Sequence, residues 1–189
     1  QENNQGLNYL KPEPMFWDSF KNAGDNLLKE LIQKIIIEGT INSAEDEGCT
    51  GVIENYGKSK GIENMSEKLN GFFGEDSNKI GFRAKVIRKA FVNQVAIPIA
   101  LEYLNNANSG KTEIKKFEEI INKPFANKEV KKYFEKHFGF NFLDIEWTIS
   151  SEKVNQIVEA VFDSLIRQIS VVFNQFQCDY IVLSGKPAS

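Results

Sequence analysis

Ser184, Gly185 and Lys186 follow directly on an apolar run, Tyr180-Ile181-Val182-Leu183, and are the residues of this chain whose order best suits ligand chemistry. In α/β proteins a small-residue turn at the carboxyl end of a buried strand is where ligands settle, because glycine lets the backbone come close to a phosphate or a base. An ordinary strand-ending turn would read the same way, so both meanings stay open at this point. The other chemistry-bearing residues are sparse. His137, the single histidine, lies in Phe134-Glu135-Lys136-His137-Phe138 with no cysteine or second histidine nearby, and it reads as a packing or surface residue. Without a His-based triad, hydrolase chemistry is disfavoured. Lys79, Arg83, Lys85, Arg88 and Lys89 form a basic run that a helix would spread over more than one face, as solvated charge. Glu118, Glu119 and the run Glu45-Asp46-Glu47 read as solvating charge as well.

Two cysteines, Cys49 and Cys178, lie far apart with no Cys-x-x-Cys and no Cys/His cluster, so neither a disulfide framework nor a zinc site is signalled and a reducing cytoplasm fits best. A net charge of −3 and a pI near 5.4 argue against a dedicated nucleic-acid binder. The longest apolar stretches are interrupted by charged or amide residues well short of a span of ~20 residues, so no transmembrane helix is predicted. The polar start, QENNQGLNYLKPEPMF, has neither a Met nor a signal-peptide pattern, which leads us to expect mid-protein sequence of a larger parent chain or a processed product. Lys, Asn, Ile and Phe are abundant while arginine is confined to Arg83, Arg88 and Arg167, a bias typical of AT-rich bacterial genomes.

The elements that must position the terminal turn are mostly helical. Residues 1–13 read as a linker or extended lead-in, and 14–189 as one helical α+β unit. Apolar steps of three and four over 15–38 predict one or two amphipathic helices, and the glycine-rich segment 39–61 reads as a flexible surface insertion. Residues 65–73 suit a short helix ended by Gly74. Asp76 or Ser77 would cap a long helix over 78–106, kinked by Pro98. Further helices are expected at 111–121 and 127–138, and an extended segment at 142–149. Ser150 and Ser151 can cap the clearest helix, 152–176, whose stripe from Val154 and Ile157 to Phe173 and Phe176 predicts burial along its length. That helix should pack on a small sheet containing the strand 180–183.

The sequence of a long apolar helix leading into D-Y-I-V-L-S-G-K-P-A-S resembles the adenosine motif of the actin and heat-shock-chaperone ATPase superfamily, in which an apolar strand ends in a Gly-Gly-Ser/Thr turn. Its nearest variant is that of the bacterial virulence factor SrfB family, where the turn is of a Gly-Arg-Pro-Ser type. The stretch F-V-N-Q-V-A-I-P-I-A-L, from Phe91 to Leu101 and preceded by Arg88-Lys89, is similar to the same family. The resemblance implies a subdomain of an actin-like ATPase fold in which Ser184, Gly185 and Lys186 line the adenosine side of an ATP site, with magnesium bound in the full-length protein. Lys186 stands where the superfamily has its second glycine, and the superfamily's pair of phosphate-binding Asp-x-Gly hairpins is not matched in this chain. The reading that competes with it is a helical protein-interaction module that binds no nucleotide.

Overall fold

A computed structural model describes residues 24–37, 51–74 and 79–177. Within them the chain is a predominantly helical α+β structure with one two-stranded sheet. The elements are α1 (Gly24–Leu31) running into a π-helical turn (Ile32–Ile37), α2 (Val52–Ser59), α3 (Met65–Phe73) and α4 (Phe82–Phe91). A second π segment (Val92–Ala96) joins α4 to α5 (Ile97–Asn106), and β1 (Thr112–Lys116), α6 (Phe117–Ile120) and α7 (Lys128–His137) come next. A 3-10 turn (Phe142–Asp144), β2 (Glu146–Ser150) and α8 (Ser151–Phe176) complete the order.

Aromatic packing fills the centre. Phe134 of α7 stacks on Phe91 at 4.4 Å between ring centroids and meets Phe138, Phe142, Phe72 and Phe140 at 4.8, 5.3, 6.3 and 6.3 Å. Rings at such separations add to the stabilisation that their buried area provides. Around this cluster lie Ile87, Val95, Ile99, Tyr103, Phe117 and Trp147, all buried. Ile35, Ile36 and Ile37 are consecutive and all buried, so the end of the first π turn is enclosed by core, while Gln33 near its start is exposed.

Several expectations hold and several are corrected. Residues 65–73 and 127–138 form helices as read, α3 ending at Gly74 and α7 capped by Asn127, whose side chain accepts from the Val130 amide. At Pro98, where a kink was expected, the helix continues from a π segment (Val92–Ala96) into α5. The proline lacks the N–H that would reach the Gln94 carbonyl, and the turn before it widens, with the Ile97 amide donating to Val92 five residues back. The described part of that helix begins at Phe82 after Gly81; Asp76 and Ser77 lie outside the described residues.

The helix expected over 111–121 is instead strand β1 followed by the single turn α6. Thr112–Lys116 pairs antiparallel with β2 in the register Thr112↔Ser150 to Lys116↔Glu146, and this non-local ladder overrides the local helical reading. The extended segment expected over 142–149 starts as a 3-10 turn, because the Asn141 side chain accepts from the Leu143 amide, and becomes strand only at Glu146. The insertion read over 39–61 is not a loop in its described part, where α2 buries Ile53, Glu54 and Gly57. Burial along the whole of the last helix also fails. Val154 and Ile157 are in the core and Val158 and Val161 pack against it, whereas Ile166 and Val171 are 59% and 65% exposed among the described residues. The lead-in 1–13 and the strand 180–183 lie outside the described residues.

Candidate functional site

Ser184, Gly185 and Lys186 lie outside the described residues, so the structure is informative about what leads to them. β2 passes straight into α8 at Ser150-Ser151, with no intervening loop. Helix α8 packs through its first turns on α1 and α5, and it ends at Phe176, where Gln177 takes left-handed backbone angles, φ 48 and ψ 49. A left-handed residue just past the last turn is a regular helix stop.

The second stretch singled out, Phe91–Leu101, supplies core. Phe91, Val95, Ala96, Ile99 and Ala100 are buried, while Leu101 is exposed. One turn on, the Tyr103 hydroxyl donates to the Thr148 carbonyl (2.8 Å) and Asn106 Nδ2 donates to the Ile149 carbonyl (3.3 Å), fastening α5 to β2. Burial holds the Tyr103 hydroxyl well above the usual tyrosine range. On the sheet's other strand, Lys115 Nζ bridges Glu102 (2.6 Å) and Glu113 (2.7 Å); both bonds favour the charged ammonium and raise the Lys115 pKa. The hydrogen bond from Lys115, and its charge, keep the Glu113 carboxyl below its ordinary value.

His137 is exposed and stacks on Tyr133 at 4.1 Å, in keeping with a surface role. Of the basic run, Arg83 pairs with Glu129 across to α7 at 2.8 Å, and Arg88 Nη1 donates to the Phe72 carbonyl at 3.3 Å. Among the described residues no group of three or more His, Cys, Asp or Glu could hold a metal ion. No described helix is long and apolar enough to cross a membrane.

A surface that sequence reasoning missed lies between the α1–π and α4–π segments. It is a groove of about 480 Å³ with Leu28, Ile32, Ile37, Phe73, Val92 and Ile97 as its apolar lining and with Lys29, Arg88 and Lys89 among its polar residues. Arg88 and Lys89 were visible as charge, but nothing local in the sequence says that they face Lys29 across apolar side chains.

These features define a helical α+β protein whose described residues carry no metal cluster. The family described as Virulence factor SrfB matches the chain over residues 1–189, and the chain belongs to that family. No curated protein and no solved structure matches it.

Proposed function

We propose that this chain contributes the adenosine side of an ATP site in a larger, actin-like SrfB protein, with Ser184 and Gly185 bringing backbone close to the nucleotide and Lys186 beside them. The observation that supports this reading is the end of α8. The helix stops at Gln177, and the chain then continues with Cys178, Asp179, the apolar run 180–183 and the Ser-Gly turn, the order in which an adenosine motif presents its parts. Magnesium, when bound with ATP, neutralises charge on the phosphates. Among the described residues no group of carboxylates offers its ligands, so on this reading residues outside them, in this chain or in the rest of the parent chain, supply them. The proposal carries with it a cytoplasmic location, where ATP is available.

Calorimetry with Mg-ATP tests it in two parts. The 189-residue chain alone should show no turnover and an affinity no better than about millimolar, because half a pocket leaves much of the ligand in water. Gly185→Trp in the longer parent protein should abolish nucleotide binding, and unchanged binding there would remove the terminal turn from the pocket. A second reading, a helical protein-interaction module without nucleotide, is favoured by the apolar side chains that α8 leaves exposed, Ile166 (59%), Val171 (65%) and Phe176 (37%) among them. It predicts that the parent protein binds no ATP at all.

A further inference from the structure

The groove between the α1–π and α4–π segments combines two properties. Its lining is largely apolar, and among the described residues no Asp or Glu lines it and Lys29, Arg88 and Lys89 have no carboxylate partner, Arg88 donating instead to the Phe72 carbonyl. Elsewhere Lys34, Lys58, Arg83, Lys115 and Arg167 each have an acidic partner, whereas the groove brings three cations together on an apolar lining. The lining residues run from Leu28 to Ile37 on one wall and from Arg88 to Ile97 on the other, a length of roughly 14 Å at 1.5 Å per residue. That is between two and three helical turns, the span over which an amphipathic helix presents anchors at i, i+4 and i+7. Both walls include a π segment, a feature that recurs at functional sites.

We infer that this groove docks an amphipathic, acidic helix of a protein partner, its apolar anchors on Ile32, Phe73, Val92 and Ile97 and its carboxylates on Lys29, Arg88 and Lys89. Apolar contact supplies affinity, and the cations select the partner's charge and speed its approach. The inference is independent of the nucleotide reading, since it uses none of the residues at 184–186.

Fluorescence anisotropy of the 189-residue chain with two labelled synthetic helices tests it. Each is about four turns long with leucines on one face; the first carries glutamates on the other positions and the second carries lysines. The glutamate helix should bind, and its affinity should fall with added salt. Lys29→Glu combined with Lys89→Glu should weaken it by at least about tenfold while improving binding of the lysine helix. Both lysines are exposed, so the double variant keeps its fold, which circular dichroism checks. Equal binding of the two helices to the unaltered chain, an affinity indifferent to salt, or no loss in the double variant would overturn the inference. Binding of phosphatidylglycerol vesicles by a chain that ignores both helices would overturn it too, assigning the groove to a lipid surface.

Discussion

Replacing Gly57 with alanine sets two effects of opposite sign against each other. Inside α2 the new methyl group restricts the unfolded backbone and favours helix by about 0.5–1 kcal/mol. Its position, however, is already taken: an alanine Cβ would lie 2.6 Å from Met65 Sδ and 2.7 Å from Met65 Cγ. Met65 opens α3 and is 1% exposed, so it has no solvent to swing into. The two helices are also tied beside it, where buried Glu54 accepts from Ser66 and pairs with Lys58. Overpacking a closed contact costs about 1–3 kcal/mol, so Gly57→Ala should be destabilising by about 1 kcal/mol net. Gly71 supplies the control. It sits inside α3 with nothing within 4 Å of its would-be Cβ, so Gly71→Ala should stabilise by the propensity gain alone, about 0.5–1 kcal/mol. The difference between the two variants isolates the overpacking. Guanidinium unfolding followed by circular dichroism at constant m-value measures both. A Gly57→Ala variant as stable as Gly71→Ala would show that α2 and α3 are not in close contact at this point.

Phe134→Ala should cost about 3–5 kcal/mol, because the ring is fully buried at the centre of the aromatic cluster; denaturant unfolding measures it, and a loss under 1 kcal/mol would deny Phe134 that central place. Tyr103→Phe removes the bond to the Thr148 carbonyl and should cost about 1 kcal/mol near neutral pH. Because the Tyr103 pKa is raised in the fold, the neutral hydroxyl's contribution is fully present below the unfolded pKa of about 10 and is lost as pH rises above it. Stability should therefore fall less steeply with alkaline pH in Tyr103→Phe than in the parent, and parallel profiles would refute the assignment. Lys115→Gln should return the Glu113 carboxyl upward toward its ordinary range, which carbon-detected NMR titration reads; an unmoved Glu113 would mean that the ion pair does not persist in solution.

The helices α3 and α8 were legible because each carries its own signal, Gly74 as a stop and the periodic stripe from Val154 onward; α7 was read as a helix over 127–138, and its Asn127 cap came from the structure. β1 was not. Thr112-Glu113-Ile114-Lys115-Lys116 has too little apolar alternation to read as a strand, and what makes it one is β2, more than thirty residues away. The glycines at 51, 57 and 61 misled in the same way. Gly57 is absent of side chain because Met65 must approach, which is a tertiary reason written in a loop-like composition. The groove was illegible for want of proximity in sequence, since its walls come from residues 28–37, 73 and 88–97. The terminal turn at 184–186 was read from residue type and order alone, and it lies outside the described residues.

The loop-free join of β2 to α8 has a mechanical consequence. At 1.5 Å per residue the helix is a rod of roughly 39 Å, clamped over its first three turns and unclamped beyond Val161 among the described residues. A rod clamped at one end multiplies angle into displacement: a bend of about 10° just beyond Val161 carries Gln177 sideways by roughly 4 Å over the remaining ~24 Å. The clamp begins at the strand that Tyr103 and Asn106 fasten to α5, so side chains far from the carboxyl end set the bearing of the helix.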